Sequence, residues 1–265
     1  MSSSPLYPNE LVIDDDTPER EWHPSVNGFG TGWVKPENAG YAANATGFID
    51  GLSINPSDFQ ARIEQRESTQ TQLSHKMIRA GLPCKNQAST NFCFANAPTH
   101  AVEILTVLQN QPLVILSAAS VACIVTNFSN RGGWADDALG VIRERGVMPE
   151  SVWPVNQISR RLDTDTNWKK AEPFKVDKWC TLQPKNMNQL ASMLLQDIPV
   201  PVAFNWWGHE VTAYDAIWLN GRLAIRCRNS WGMEYGDKGF FVLQGSKMYF
   251  DDGIAPLSIT AGLAV

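Results

Sequence analysis

The spacing of apolar residues changes near Pro199, and this change limits the folds open to the 265-residue chain. Between Cys93 and Gln109, apolar side chains recur every three or four residues, which is typical of a helix with one buried face. Beyond Pro199 the apolar residues form aromatic and β-branched runs, at Pro199 to Trp207, Val211 to Leu219, Leu223 to Arg228 and Gly239 to Leu243. Asn220-Gly221 is a strong two-residue hairpin signal between two of these runs. A helical part followed by an antiparallel part predicts an α+β fold in two lobes.

Further helices are predicted from capping and stop signals as well as from spacing. A connecting helix is expected over residues 57–74, within a longer helical pattern that starts near Pro56 and reaches Ala80. The other predicted helices are Ser117 to Val125, Asp136 to Arg145 and Met187 to Leu195. These elements place the main domain at residues 75–265, with a helical lobe at about 84–180 and a β lobe at about 181–250.

Residues 1–56 differ from the rest in charge and in pattern. They carry eight acidic side chains against Arg20 and Lys35, so most of the net charge of -5 belongs to them. Frequent Gly, Pro, Asn and Asp predict an irregular arm. One hypothesis is that this arm binds a protein partner. The chain has no basic stripe for nucleic acid, no apolar run long enough to cross a membrane and no visible secretion signal. We therefore expect a cytoplasmic protein, or one within a non-secreted particle.

The chain has five cysteines, so at least one thiol is free or paired outside the chain. None of them lies in a CxxC pair or in a Cys/His spacing typical of zinc, and no metal or other cofactor is predicted. One of the five has neighbours that favour nucleophilic chemistry. Cys93 stands at the start of a predicted helix, where the positive end of the helix dipole favours a thiolate.

Attack of a thiol on an amide needs a proton acceptor and dipoles that stabilise the oxyanion, as well as a lowered thiol pKa. His209, at the start of a predicted strand, can accept the proton and later return it to the leaving amine. Asn229, at the end of the next strand, can orient the imidazole without adding charge. Gln87, six residues before Cys93, can join the backbone N–H of Cys93 as an oxyanion donor.

With these residues the chain resembles the papain-like cysteine peptidases over about residues 75–250. The resemblance rests on Asn86 to Ala95 with its Gln-to-Cys spacing, on Gly132-Gly133, on Glu150 to Pro154, on His209, and on the Gly-rich stretch that begins Asn229-Ser230-Trp231-Gly232. It implies a papain-like fold, peptide or protein substrates, and catalytic roles for Cys93, His209, Asn229 and Gln87. It also implies that Trp231 shields the His–Asn hydrogen bond, that Gly132 and Gly133 present backbone groups to an extended peptide, and that Trp134, Ala135 and Glu210 lie near a side-chain pocket. Glu210 replaces a residue that is usually small, which favours a basic or polar substrate side chain.

The chain departs from the family pattern at its disulfides and at its N-terminal segment. Thr90 and Asn130 stand where the family has a disulfide pair, and Phe94 follows the nucleophile position in place of Trp. Residues 1–74 do not resemble the usual helical prosegment. One alternative is therefore a structural or assembly protein, such as a viral or phage particle component, that binds a partner through the arm. A third hypothesis is that the arm occupies the cleft of a competent enzyme.

Overall fold

A computed structural model describes residues 10–23, 28–36 and 45–260, so the parts of the predicted arm at 1–9, 24–27 and 37–44 lie outside the described residues. Eight strands form one mixed sheet in the order β1-β7-β6-β5-β4-β8-β3-β2. The strands are β1 (Leu11–Ile13), β2 (Ala45–Gly47), β3 (Val176–Thr181), β4 (Val200–Phe204), β5 (His209–Leu219), β6 (Arg222–Arg228), β7 (Phe240–Leu243) and β8 (Asp252–Ile259). All pairs are antiparallel except the two outer ones, β1 with β7 and β2 with β3.

The helices are mostly confined to the chain before β4. They are α1 (Glu19–Trp22), α2 (Phe59–Ser68), α3 (Leu73–Arg79), α4 (Cys93–Leu108), α5 (Ala118–Val125), α6 (Ala135–Arg145), α7 (Asp165–Trp168) and α8 (Met187–Leu194). Four of these match the predicted bounds to within about a residue, because their apolar spacing and stop signals are clear. At the end of α6, for example, Gly146 has a φ of 84°, a left-handed conformation that glycine adopts without steric cost.

The helical pattern from Pro56 to Ala80 is not one helix in the structure. α2 and α3 are separate, and Gln70 between them has a φ of 53°, which interrupts helical hydrogen bonding. α2 does more than connect, since Phe59 and Ile63 are buried in the same hydrophobic cluster as β4 and β5. The interruption turns α3 toward a separate, smaller cluster, in which Leu73 and Met77 are buried.

Two hydrophobic clusters give the fold its two lobes. One cluster joins α4, α5 and α6 and includes the fully buried Trp153; the other joins α8 to the inner strands of the sheet. The predicted α+β two-lobed architecture is confirmed. The predicted hairpin is also present, since Asn220 and Gly221 connect β5 to β6 with φ values of 51° and 74°.

The arm adds an edge strand to the β lobe, although no strand was predicted there. β1 pairs in parallel with β7, with Val12 opposite Val242. Arg226 of β6 donates to the carboxylate of Glu10 at 2.5 Å, which ties the start of the described arm to the sheet. Within the described ranges, no helix has the length and apolar character needed to span a membrane.

Candidate active site

Cys93 is the first residue of α4 and is fully buried. The helix starts here because the backbone N–H groups of Ala95 and Asn96 both donate to the carbonyl of Phe92, which closes the first turn. The N–H groups of the first turn have no carbonyls of a preceding turn to bind, so the helix dipole favours negative charge at this end. The thiol of Cys93 therefore lies at the N-terminus of a helix, as the sequence predicts.

His209 and Asn229 come together at the ends of neighbouring strands. His209 begins β5 and Asn229 directly follows β6, and the Nε2 of His209 lies 2.8 Å from the Oδ1 of Asn229. The same Oδ1 accepts from the backbone N–H of Ser230 at 2.8 Å, which orients the amide. The Nδ1 of His209 is buried and has no hydrogen-bond partner. The imidazole thus has one nitrogen held by Asn229 and the other without a partner.

Trp231 covers the His–Asn pair. Its indole ring stacks on the His209 ring, with 4.6 Å between centroids and an interplanar angle of 22°. Trp207 packs edge-on against both rings, at 5.0 Å from His209 and 5.5 Å from Trp231. Two aromatic rings, those of Trp231 and Trp207, thus lie against the imidazole that bonds Asn229.

Burial dominates the electrostatics of the thiol and of the imidazole. It raises the pKa of the Cys93 thiol well above its ordinary value, and the carboxylate of Glu210 raises it further, while the backbone N–H of Glu210 acts in the opposite direction. Burial also lowers the pKa of His209 to about 4, against the smaller opposing effect of its hydrogen bond to Asn229. With the site closed in this way, the Cys93 thiol and the His209 imidazole are both neutral at neutral pH.

Gln87 lies between the strand end that carries Asn229 and the start of α4. Its backbone N–H donates to the carbonyl of Ser230 at 2.8 Å, and its Oε1 accepts from the hydroxyl of Ser230 at 2.5 Å. With Oε1 held in this way, the Nε2 donors point to two carbonyl oxygens, those of Thr90 at 2.8 Å and Gly30 at 2.9 Å. One of the donors therefore binds the arm rather than the main domain.

The arm segment at residues 28–36 runs along the candidate site. Gly133 donates to the carbonyl of Gly32 and accepts from the N–H of Val34, both at 2.9 Å, so that Trp33 and Gly133 form a parallel bridge. The N–H groups of Gly32 and Trp33 both donate to the carbonyl of Gly208, the residue before His209, at 3.2 Å. The arm thus bridges the helical side of the site and the strand side.

The carbonyl of Gly30 takes two donors at the centre of the site. Besides Gln87, the indole Nε1 of Trp231 donates to it at 3.1 Å. The preceding residue, Phe29, also stacks on Trp231, with centroids 5.3 Å apart and an interplanar angle of 5°. The arm therefore contacts two of the residues that the sequence assigned to catalysis or to its shielding, Gln87 and Trp231.

Close approach of the arm requires its glycines. A Cβ at Gly30 would lie 2.0 Å from the carbonyl oxygen of Thr90, and one at Gly32 would lie 2.2 Å from that of Asn91. Gly32 also has a φ of 130°, a conformation that other residues rarely adopt. Any side chain at these positions would push the backbone of the arm out of its groove.

The residues predicted for substrate contact surround this segment. Gly132 faces Val34 of the arm, and Gly133 lies against the ring of Phe94, with no room for a Cβ at either position. Trp134 and Ala135, at the start of α6, are buried. Glu210 is buried next to His209, and its Oε2 has no hydrogen-bond partner.

Three features of the site were not predicted from the sequence. The Oγ of Ser230 positions Gln87, the Nε1 of Trp134 donates to the Oδ2 of Asp252 at 2.6 Å, and the Nζ of Lys35 lies 3.3 Å from the Oδ1 of the same carboxylate. Asp252 begins β8, a strand that the sequence interpretation missed. Its continuous apolar run Ile254-Ala255-Pro256-Leu257 was the available signal.

A buried polar network supports α4 behind the site. Glu103 accepts from Lys85 at 2.5 Å and lies 2.9 Å from the Nδ1 of His100, while the Nε2 of His100 lies 2.6 Å from the hydroxyl of Tyr214 in β5. His100 is therefore buried and faces the core, not solvent. The three-residue spacing of His100 and Glu103 on one helix was the signal for the network.

All five cysteines are free thiols. Over residues 10–23, 28–36 and 45–260, no group of His, Cys, Asp and Glu has the arrangement of a metal site.

A two-lobed α+β fold, with a thiol at a helix start and a hydrogen-bonded His–Asn pair at neighbouring strand ends, is typical of the class of papain-like cysteine proteases. The family model described as papain family cysteine protease matches residues 75–222. This is more than half of the chain, and the chain belongs to that family. The sequence resemblance is thereby confirmed at the level of family and fold.

Relatives and solved structures agree with the assignment. The chain is 25% identical over 182 residues to the oryzain beta chain of Oryza sativa subsp. japonica, a match that covers 60% of this chain and 38% of the relative. It is 24% identical over 188 residues to cysteine protease 1 of the same organism, with 61% and 38% covered. The matched part of the chain thus spans well under half the length of these curated relatives.

Among solved structures, xylellain, a cysteine protease from Xylella fastidiosa, superposes with a TM-score of 0.64 at 16% identity, covering 88% of this chain and 97% of that one. A Carica candamarcensis cysteine protease in complex with E-64 superposes with a TM-score of 0.59 at 20% identity, covering 71% and 98%. At these identities the superpositions establish the fold.

Proposed function

We propose that the protein is a cysteine peptidase in which Cys93 attacks a peptide carbonyl. His209 takes the thiol proton and returns it to the leaving amine, and Asn229 holds the imidazole in position. The observation that carries the proposal is the 2.8 Å hydrogen bond between His209 and Asn229, which leaves the Nδ1 of His209 unpartnered.

Gln87 stabilises the oxyanion together with the backbone N–H of Cys93. Support comes from the two hydrogen bonds that the amide of Gln87 makes through its oxygen and nitrogen: Ser230 fixes Oε1, and Nε2 already binds a peptide carbonyl, that of Gly30. A donor fixed in this way needs no reorganisation when charge develops on the substrate oxygen. Gly132 and Gly133 bind the substrate backbone, as Gly133 binds the arm.

We further propose that the arm restrains this site in cis, because it occupies the groove that a substrate needs. Hydrogen bonds to Gly133, Gly208, Gln87 and Trp231 hold it there. Displacement of the arm is therefore the first step of activity. Gly32→Ala displaces it without deleting any residue, since the added Cβ meets the carbonyl of Asn91 at 2.2 Å.

The chemistry is tested in the full chain with Gly32→Ala. We expect hydrolysis of a mixed peptide library and a single adduct with E-64, the inhibitor bound in the Carica candamarcensis neighbour. Adding Cys93→Ala should abolish both. Cys123→Ala is the matched control, because it removes another buried thiol, remote from the site, and should leave both intact.

The outcomes separate the enzyme from a scaffold. An adduct at Cys93 without hydrolysis of any peptide would mean a reactive thiol without turnover, and would favour a binding or assembly role. Hydrolysis that survives Cys93→Ala would overturn the proposed nucleophile.

A further inference from the structure

Helix α4 begins at the candidate nucleophile and strand β5 begins at the candidate base, so the packing of these two elements determines how the two groups meet. A row of polar contacts joins them: Glu210 with Cys93 through a backbone N–H, Thr212 with the carbonyl of Ala97, and the hydroxyl of Tyr214 with the Nε2 of His100. We call these contacts the α4–β5 ladder.

The partners in the ladder advance in step along the two elements. On the strand they are two residues apart, and on the helix they are four and then three residues apart, so each set lies on one face. From Cys93 to His100 the helix rises about 10.5 Å, and from Glu210 to Tyr214 the strand rises about 13 Å. α4 and β5 therefore run in the same direction, and each contact fixes the position of one element along the other.

The contact between Tyr214 and His100 is the deeply buried end of the ladder. Tyr214 is 0% exposed and His100 is 3% exposed, and the phenol oxygen lies 2.6 Å from Nε2. The pairing of β5 with β6 shifts between Ala213 and Asp215, so a β-bulge falls at Tyr214. Bulges redirect side chains, and here the redirected phenol meets the helix. If the strand slipped along the helix, both polar groups would be buried without partners, which is costly.

The neighbours of His100 determine which way this hydrogen bond points. Burial acts to raise the pKa of Glu103, but the ammonium of Lys85 and the bond to His100 together lower it below its usual value. Burial lowers the pKa of His100 to about 4, against the opposing effect of Glu103. A neutral imidazole 2.9 Å from an ionised carboxylate donates to it through Nδ1. Nε2 can then only accept, so the phenol of Tyr214 donates.

The apolar surroundings of this bond do not fix the alignment by themselves. Tyr214 packs edge-on against Phe240, with 5.1 Å between ring centroids, and shares a hydrophobic cluster with Ile104 of α4. Apolar contacts of this kind are non-directional, so neighbouring alignments of helix and strand differ little in burial. A buried hydrogen bond with both partners satisfied specifies a single alignment.

We propose that His100 and Tyr214 are positioning residues, whose hydrogen bond fixes α4 along β5 and so aligns Cys93 with His209 for proton transfer. The inference rests on the proposed function, because it concerns the nucleophile and the base of the same site.

Alignment acts on the rate of reaction rather than on the binding of a peptide. His100 lies two helical turns from Cys93, and Tyr214 lies five residues from His209, so both act through the elements that carry the reacting groups. A misplacement of about 1 Å at reacting groups costs about 10²-fold in rate. We therefore expect loss of the bond to lower kcat and to leave KM nearly unchanged.

The test adds Tyr214→Phe to the full-length protein with Gly32→Ala. Phenylalanine keeps the ring against Phe240 and loses only the hydroxyl. Arg228, which also bonds that hydroxyl, keeps two backbone carbonyls as acceptors, so the fold is expected to survive. We expect kcat for a cleaved peptide and the rate constant for inactivation by bound E-64 both to fall by about 10- to 100-fold. KM and the dissociation constant of E-64 should stay within about threefold.

Thr106→Val is the matched control. Thr106 is a buried residue of α4, and its hydroxyl donates to the carbonyl of Val102 in the same helix at 2.8 Å. The control therefore removes a buried hydrogen bond, but one that does not cross to β5. Both variants should lower Tm, whereas only Tyr214→Phe should lower the two rate constants. A second variant, Tyr214→Phe with His100→Leu, removes both partners of the bond and should stay slow even where Tm recovers.

The outcomes separate this inference from the proposed chemistry. Rate constants of Tyr214→Phe and of the second variant within about twofold of the Gly32→Ala parent would overturn the positioning role, and so would an equal loss in Thr106→Val. If the parent hydrolyses peptides and Tyr214→Phe does not slow it, the peptidase stands and the positioning role falls. If the parent hydrolyses no peptide but Tyr214→Phe slows its inactivation by E-64, the positioning role stands and the peptidase falls.

Discussion

Gly32→Ala is the sharpest single perturbation of the arm. The Cβ it adds has no space, because the carbonyl oxygen of Asn91 is 2.2 Å away and belongs to backbone that cannot rotate aside. The φ of 130° at Gly32 is also unfavourable for alanine. The segment must leave the groove or lose its register, whereas the main domain gains no clash of its own once the segment has moved.

The magnitude follows from the interactions that pass through this residue. The N–H of Gly32 donates to Gly208 at 3.2 Å, and its carbonyl accepts from Gly133 at 2.9 Å. Losing both costs about 2 kcal/mol at about 1 kcal/mol each. Strain at the unfavourable φ adds about 1–3 kcal/mol. A total of about 3–5 kcal/mol shifts the ratio of open to closed arm by about 10²- to 10⁴-fold, since about 1.4 kcal/mol is a factor of ten.

The assay is the rate of adduct formation with E-64, followed by intact mass on the wild-type and variant full chains. We expect the rate to rise with the open fraction until the open form predominates. Gly51→Ala is the matched control, because a Cβ there meets nothing within 4 Å, and it should label like the wild type. Equal rates for wild type and Gly32→Ala, both folded by circular dichroism, would refute the view that the arm blocks the site.

Three further predictions concern the site itself, each in the Gly32→Ala background unless stated. Asn229→Ala removes the hydrogen-bond partner of the His209 imidazole. We expect kcat to fall by about 10- to 100-fold with little change in KM. An unchanged kcat would show that the Asn229 amide does not orient the imidazole. Phe29→Ala, made in the otherwise wild-type chain, removes the stacking of Phe29 on Trp231, which contributes about 0.5–1.5 kcal/mol. The rate of labelling by E-64 should therefore rise by about two- to tenfold. A slower rate would show that this stacking does not hold the arm in place. Glu210→Gln, also in the otherwise wild-type chain, removes a buried acid whose folded-state pKa is raised by burial and by the nearby charge of Asp252. In the folded wild type, Glu210 keeps a proton that the unfolded chain releases above about pH 4.5, so the free energy of unfolding falls as the pH rises from there. The decrease in Tm between about pH 5 and pH 8 should therefore be smaller in the variant. Parallel Tm curves would contradict the raised pKa.

The local sequence predicts the site because each of its reactive side chains lies at, or next to, one end of a helix or strand. A helix start at Cys93 and two strand ends at His209 and Asn229 are visible from periodicity and turn signals, and antiparallel pairing brings strand ends together. The hairpin at Asn220-Gly221 joins β5 to β6 in an antiparallel pair, with Thr212 opposite Arg228, and so brings the strand end that carries His209 close to the one that precedes Asn229.

Other features depend on contacts that local patterns do not encode. The path of the arm is set by close approach at Gly30 and Gly32, and in the sequence those glycines are indistinguishable from turn residues. The ion pair between Lys35 and Asp252 joins residues 217 positions apart, through a strand whose pairing partners are not its chain neighbours. The break at Gln70 arises because α2 and α3 pack into different hydrophobic clusters, a tertiary effect that overrides a continuous helical pattern.

Under the proposed function, the arm controls protonation as well as access. The raised pKa of Cys93 and the lowered pKa of His209 both have burial as their largest cause, and the arm forms part of the cover over the site. When the arm leaves, water reaches the groove and both values move toward their ordinary range, which brings the thiol and the imidazole closer in proton affinity. Proton transfer from Cys93 to His209 then becomes less costly at the moment when a substrate can enter. A restraint of this kind keeps the thiol neutral, and so less reactive toward oxidants and electrophiles, for as long as the site is closed.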